Sequence, residues 1–169
     1  MQGSGGVSLF ALAFAKVLGA RVIATTSSAA KAARLAELGA DEVVDYRATP
    51  DWSQEVRELT GGRGADRVVD VAGLLEESLR AVRTAGHVAC VGFVSGAAPP
   101  IDPRVLFSSG ATVRAVAVGS RAQFLAMNRA VEVNRLRPVI DRVFTFDDAP
   151  AAYRHYASRR AFGKVVITI

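Results

Sequence analysis

The residues best suited to chemistry stand at the head of the chain. Gln2-Gly3-Ser4-Gly5-Gly6-Val7-Ser8 is a glycine-rich turn of the kind that lets backbone approach a pyrophosphate and hand it to a helix N-terminus. There, unpaired N–H groups and the helix dipole favour negative charge. Ser8 stands where the third glycine of the common fingerprint would be, and is small enough for the close helix–strand contact made there. A plain tight turn is the bland alternative, but the βαβ pattern that follows favours nucleotide binding. Such a turn normally follows a strand and opens a helix. A helix over 7–18 is predicted, yet only Met1 and Gln2 precede the turn. The expectation is a nucleotide-binding unit without its first strand.

The end of the next predicted strand is more discriminating. A site that prefers NAD usually carries an acid about 20 residues after the motif, to grip the ribose hydroxyls. Here the stretch reads Ala24-Thr25-Thr26-Ser27-Ser28, with Lys31 one turn further on and no acid. A carboxylate would repel a 2′-phosphate, whereas hydroxyls and an ammonium can hold one, so NADPH is expected to be accepted. Thr26, Ser27 and Ser28 also suit the cap of a helix beginning at Ala29, and both roles are compatible. Tyr46, at the end of the third strand, can stack or hydrogen-bond near an adenosine, or simply pack.

Elsewhere the chemistry is sparse. Cys90 is the only cysteine, which excludes an intrachain disulfide and a cysteine-based metal cluster. It lies in an apolar run and reads as a small core residue rather than a nucleophile. His87 and His155 are far apart with no carboxylate pattern beside them and read as structural or solvated. Asp66 and Asp70 flank a strand, with Asp66 read as a turn residue. No metal-ligand spacing, activated serine or paired carboxylates are found, so no catalytic acid or base is named. The net charge of +5 raises nucleic acid as a partner, but the arginines are scattered and form no patch interleaved with aromatics. Lys16 and Arg21 interrupt the apolar stretch 5–24, leaving too short a run to span a membrane. With no basic region ahead of it to suggest a secretory signal, the expectation is a cytoplasmic protein.

At 169 residues one domain with a real core is the default. Hydrophobic periodicity lays out the elements that must position the turn. Strands are expected at 21–25, 42–45, 67–71, 87–93 and 112–118, with 87–93 apolar enough for burial on both faces. Helices are expected at 29–38, 50–59 and 75–83, and a Gly/Pro-rich loop at 95–103. This alternation predicts an α/β fold, a doubly wound parallel sheet of Rossmann-like type with helices on both sides. The absent first strand would lie mid-sheet, leaving strands 21–25 and 67–71 without their shared neighbour. Past Gly119 the rhythm changes: an amphipathic helix at 121–134, a strand at 139–146, a helix at 149–158 and a last strand at 164–169. Residues 1–120 are accordingly expected to form the dinucleotide-binding domain and 121–169 a C-terminal segment.

Together these stretches resemble the medium-chain dehydrogenase/reductase family, that of zinc-type alcohol dehydrogenases and quinone oxidoreductases. The likeness rests on Gln2–Ser8, Gly19-Ala-Arg-Val-Ile-Ala-Thr-Thr-Ser27, Leu38-Gly-Ala-Asp41 and Thr60-Gly-Gly-Arg-Gly-Ala-Asp66. It continues in Gly86-His87-Val88 with Val91-Gly92, and in Phe162-Gly-Lys-Val-Val-Ile167. Residues 118–142 are most similar to a branch of NAD(P)-dependent alcohol dehydrogenases. The resemblance implies reversible hydride transfer between a nicotinamide cofactor, NADP or NAD, and an alcohol, carbonyl or quinone. It implies that Gly3, Gly5, Gly6 and Val7 meet the pyrophosphate and that Thr26, Ser27, Lys31 and Tyr46 surround the adenosine ribose. Gly92 and Phe93 would lie near the nicotinamide. It also implies that catalytic zinc ligands belong to an N-terminal substrate domain, so no zinc site is expected here, and that 121–169 would pack on that domain.

A non-catalytic nucleotide-binding or interaction module is the competing function. A methyltransferase-like reading is weakened because that cofactor also favours an acid near Thr26. A short-chain dehydrogenase is weakened because no Tyr-x-x-x-Lys occurs. Strand 112–118 should be an outer strand, and edge strands invite pairing. The resemblance implies a homodimer in which two such strands meet, with Ala115 and Ala117 or their alternate neighbours at its centre. Cover of that edge by helix 121–134 is the alternative.

Overall fold

Alternating strands and helices run the length of the chain, whose residues 1–96 and 100–169 are described by a computed structural model. Helix α1 (Gly6–Val17) opens at Gly5 with no side-chain cap and turns Leu9 and Leu12 inward. Strand β1 (Ile23–Thr26) follows, then α2 (Ala29–Glu37), whose N-cap Ser28 accepts the Lys31 N–H. Strand β2 (Glu42–Asp45) runs parallel to β1, with Thr26 opposite Asp45. These elements close on one core cluster of Leu9, Leu12, Val22, Ala24, Leu35 and Ala40, which also takes in Phe162 from near the C-terminus.

The next elements are α3 (Trp52–Leu59), β3 (Ala65–Asp70), α4 (Leu75–Ala81), β4 (Val82–Cys90), α5 (Pro103–Ser109) and β5 (Thr112–Ala115). Strands β3, β4 and β5 form a parallel sheet in that order. Val44, Trp52, Val56 and Ala81 form a second cluster, and Val68, Leu79, Val82 and Val88 a third. The remaining elements are α6 (Arg121–Val133), β6 (Ile140–Thr145), α7 (Ala149–Ala157) and β7 (Lys164–Thr168), with β6 parallel to β7.

This is the α/β architecture with parallel strands that the sequence predicts. Among the described residues no strand joins β1–β2 to β3–β4–β5. Residues 1–3 stand there instead: the Met1 carbonyl accepts from Thr25 N at 3.0 Å and Gly3 N donates to Thr25 O at 2.9 Å. The Gln2 side chain reaches the other half of the sheet, as described below.

Several boundaries differ from expectation. The predicted loop 95–103 ends in α5, whose start is fixed by Asp102 accepting from Arg104 N and by Pro103 in the first turn; residues 97–99 of that loop lie outside the described residues. Helix α4 stops at Ala81 rather than 83, because β4 begins at Val82 and pairs there with Ala65. Strand β4 is not buried on both faces: Val88 is, while His87 is exposed. Asp66 is a strand residue, not a turn residue. It is held by bidentate Arg63 and by Arg83, which keep its carboxyl far below the usual carboxylate range. No helix among the described residues is long and apolar enough to cross a membrane.

Candidate dinucleotide site

The glycine turn sits at the N-terminus of α1, at the edge of the sheet where the parallel strands end. Gly3 adopts φ of +73°, which favours glycine, and a Cβ there or at Gly5 would meet nothing within 4 Å. The space above both is open to a ligand. Gly5 supplies no side-chain cap, so the first N–H groups of α1 have neither a preceding carbonyl nor a side-chain oxygen. Val7 is half exposed, and Ser8 is buried with Oγ donating to Gln2 O at 2.6 Å. The turn therefore presents unpaired donors at the positive end of a 12-residue helix.

Gly6 is different. A Cβ there would fall on the Lys164 side chain, 2.8 Å from Nζ. The last strand thus lays an ammonium across the mouth of the turn. The backbone beside it is pinned: Gly163 N donates to Ser4 O at 3.0 Å and Lys164 N to Val139 O at 2.9 Å.

A buried polar network fixes the turn from the β3 side. Gln2 Nε2 donates to Ser78 Oγ at 2.9 Å, and Ser78 Oγ donates to Asp70 Oδ2 at 3.0 Å. Asp70 Oδ1 accepts from Ala72 N and Gly73 N, and Gln2 Oε1 accepts from Ala72 N at 3.1 Å. All three side chains are buried. Such a network is favourable only when its members are satisfied, and here the Asp70 carboxylate accepts three donors. It joins the turn to the loop after β3.

At the ribose end, Thr26 is buried and its carbonyl accepts from Tyr46 N at 3.0 Å. Ser27 is half buried and Tyr46 is exposed. These residues lie beside the turn, since Gly3 bonds Thr25. Lys31 is engaged elsewhere: its Nζ donates to Arg159 O at 3.4 Å and Ala161 O at 3.3 Å. Both contacts are at the long limit of hydrogen bonding, and an ammonium has three donors.

Gly92 and Phe93 lie in the loop after β4. A Cβ on Gly92 would come 3.2 Å from Val71 O, and Phe93 is exposed. The loop tracks the one after β3 through Val91 N to Asp70 O and Val94 N to Val71 O. Burial, then the charge of Asp70, pushes the Cys90 thiol up, which agrees with an inert packing residue. His155 Nε2 contacts Asp141 Oδ2 at 2.6 Å; its carboxylate partner comes from 14 residues upstream.

The structure thus places Thr26, Ser27, Tyr46, Gly92 and Phe93 at the C-terminal ends of β1, β2 and β4, and Gly3, Gly5, Gly6 and Val7 in the turn bonded to β1. This is the end of parallel strands at which open α/β sheets bind ligands. Sequence reasoning missed Lys164 and the Gln2–Ser78–Asp70 network. The resemblance at residues 162–167 contained Lys164, but no local spacing shows that it crosses Gly6. Among the described residues, no group of three or more His, Cys, Asp or Glu could hold a metal ion.

Comparison with known proteins shows the family and the shared fold. A family model described as zinc-binding dehydrogenase matches residues 6–132. A zinc-type alcohol dehydrogenase-like protein of Schizosaccharomyces pombe is 35% identical, covering 99% of this chain and 50% of that protein. A 2-haloacrylate reductase of Burkholderia is 31% identical over 97% of this chain and 53% of that protein. Among solved structures, an NAD-dependent alcohol dehydrogenase matches with a TM-score of 0.89 at 38% identity, covering 99% of this chain and 50% of that one. A mycobacterial protein complexed with NADPH matches with a TM-score of 0.83 at 30% identity, covering 99% of this chain and 55% of that one. The chain spans about half the length of these relatives. With three quarters of its length under the family model and its fold shared throughout, the chain belongs to the zinc-binding dehydrogenase family.

Proposed function

We propose that this chain is the cofactor-binding portion of an NAD(P)(H)-dependent oxidoreductase that transfers hydride to or from an alcohol, carbonyl or quinone. The observation that carries the reading is the open, uncapped turn Gly3–Gly6 at the head of α1, with the Lys164 ammonium across it. Its donors and its added cation fit a pyrophosphate. When bound, the dinucleotide supplies or accepts the hydride. The chain's own residues bind and orient it. Gly3, Gly5, Gly6 and Val7 meet the pyrophosphate, and Thr26, Ser27 and Tyr46 line the adenosine ribose. Gly92 and Phe93 border the nicotinamide end. Residues 1–120 carry most of this site, residues 162–164 close on it from the C-terminal segment, and the rest of 121–169 packs on a substrate domain.

NADPH is the preferred form, because the end of β1, Thr26-Ser27-Ser28, carries no acid to repel a 2′-phosphate, and Asp45, opposite Thr26 on β2, accepts the Arg47 N–H. Lys31 keeps one donor beyond its two carbonyl contacts and offers it to that phosphate. Replacing Lys31 with alanine should weaken NADPH more than NADH, the difference being about 1.5–3 kcal/mol, the worth of one hydrogen bond to a charged group; a loss common to both cofactors reports the contacts of Lys31 with Arg159 and Ala161. Calorimetric titration of both cofactors tests this, and tenfold tighter NADH binding by the unaltered chain would overturn the preference.

The chain is further proposed to form a homodimer through the free edge of β5. Helix α6, the other candidate to cover that edge, buries none of its residues. The strand ends at Ala115, short of the expected 118; Val116 still donates to Cys90 O, and Val116 and Val118 are exposed beyond it.

A further inference from the structure

We propose that Asp141, with His155 as its partner, is a positioning residue for the dinucleotide turn. It seats the strap 159–164 so that the Lys164 ammonium stands over Gly6. The proposal rests on the reading that this turn receives a pyrophosphate.

The strap runs from the ribose end of the site to the turn. Its start is held by α2, where Lys31 Nζ donates to the carbonyls of Arg159 and Ala161. In its middle the Phe162 ring is buried, with the Arg34 guanidinium 3.9 Å above the ring centre. At its end Gly163 adopts φ of +97° and is packed so closely on the Val139 carbonyl that no Cβ would fit. Gly163 N bonds Ser4 O, and Lys164 follows.

The two oxygens of Asp141 divide the work beneath this strap. Oδ1 accepts the Phe162 N–H at 3.0 Å, and Oδ2 meets His155 Nε2 at 2.6 Å. The side chains of Asp141 and His155 are mostly buried. Burial pushes the Asp141 carboxyl up, but the hydrogen bonds from His155 and Phe162, with the charges of His155 and Arg34, outweigh it and hold it below the ordinary range. The carboxylate is therefore ionised near neutrality and accepts from both sides. Without it, the Phe162 N–H is left unpaired in a buried place, and His155 loses its partner. The strap then loosens, and Lys164 must be ordered when the dinucleotide arrives rather than before. Preorganisation of this kind acts on affinity by removing an ordering cost.

The test uses the whole chain and two readouts: dinucleotide affinity by calorimetric titration, and amide hydrogen exchange at Phe162 and Gly163. Asp141→Ala should weaken NADPH about three- to tenfold, the cost of ordering one long side chain. Asp141→Asn should restore affinity to within about twofold, since its Oδ1 still accepts from Phe162 and its amide can meet His155. The double variant Asp141→Ala/Lys164→Ala should bind no more weakly than Lys164→Ala alone. Exchange at Phe162 and Gly163 should quicken in Asp141→Ala while the amides of Leu12 and Val88 keep their protection. Additive losses, or wild-type affinity in Asp141→Ala, would overturn the proposal. Should Asp141→Ala not fold, His155→Phe removes only the Oδ2 partner and should shift both readouts the same way by less; no shift counts against the pair. If the unaltered chain binds neither NADPH nor NADH, the cofactor reading falls. The exchange data then decide the strap alone: faster exchange in Asp141→Ala keeps it, unchanged exchange removes it.

Discussion

Residues 1–115 and 120–169 are made of the same parts and behave differently. Both hold parallel strands joined through helices, and β6–α7–β7 repeats the plan of β1–α2–β2, with one register shift between Ile140 and Arg142. In the first region α1, α2, α3 and α4 each bury apolar residues, and Leu12, Leu35, Leu79, Val82 and Val88 are almost wholly removed from water, while α5 leaves Leu106 and Phe107 exposed. In the second, α6 buries nothing, and Phe124, Val143, Phe146, Tyr153 and Tyr156 stay exposed. The buried apolar residues there are Ala152 and Phe162, and Phe162 packs in the core of the first region. Apolar periodicity builds the element; a second layer against it builds stability. The exposed faces on 121–169 are where we expect the substrate domain of a longer chain to supply that layer.

The sharpest way to break this comparison is to cut side chains from both regions. Phe162→Ala should cost about 3–5 kcal/mol and Leu35→Ala about 2–5 kcal/mol, the range for emptying a packed core. Phe124→Ala should change stability by no more than about 0.5 kcal/mol, as for exposed positions. Denaturant unfolding of the three variants measures this. A loss at Phe124 equal to that at Leu35 would mean that α6 is packed against something in solution.

The second test concerns the sheet edge where the two regions meet. Val116 N donates to Cys90 O at 2.8 Å, so that donor faces β4 and not the free edge. In a strand the N–H groups alternate sides, which turns the donor of Ala115 outward. If the proposed homodimer forms through this edge, Ala115→Pro should weaken it while sparing the ladder to β4. Val116→Pro should instead loosen β5 from β4 and destabilise the fold. Light scattering at tens of micromolar reads the first effect and thermal unfolding the second. A monomer in the unaltered chain would remove the dimer, and unfolding by Ala115→Pro alone would misplace the edge.

The order of elements was legible because each strand and helix carries its own period and its own stop. Gly39 after α2 and Gly61-Gly62 after α3 are local signals with local effects. Helix α5 escaped because Asp102-Pro103, a cap and a first-turn proline, follows a glycine- and proline-rich run that reads as loop throughout. The glycine turn was legible for the same reason as the strands: its conformational demand is met by adjacent residues. The partners that fix it were not. Gln2 and Ser78 are 76 residues apart, and Lys31 reaches Ala161 over 130. No spacing in one sequence encodes such contacts. Lys31 drew attention as a cation, yet the carbonyls that occupy it belong to a strap whose course is purely tertiary.

The smallest expected effect separates two depressed carboxylates by their surroundings. Asp66, at the surface of the first region, is held down by hydrogen bonds from Arg63 and Arg83. Asp141, mostly buried in the second, is held down against its own burial by His155 and Phe162. A carboxyl whose folded pKa lies below its unfolded value contributes stability above the unfolded value, about 3.9 for aspartate. That contribution is lost as pH falls through the folded value. Both groups thus stabilise the chain at neutrality and stop doing so in acid, but the Asp66 pairs are exposed and screened by salt. Asp66→Asn should lower stability slightly at pH 7 and low salt. The difference should shrink in high salt and vanish when acid protonates the native carboxylate. For Asp141→Asn, the difference from the unaltered chain should persist in salt, because burial keeps ions away from the pair. Denaturant unfolding at two salt concentrations and a series of pH values reads both. Equal salt sensitivity at the two positions would show that Asp141 is as wet as Asp66 and that the strap is not seated in a protected site.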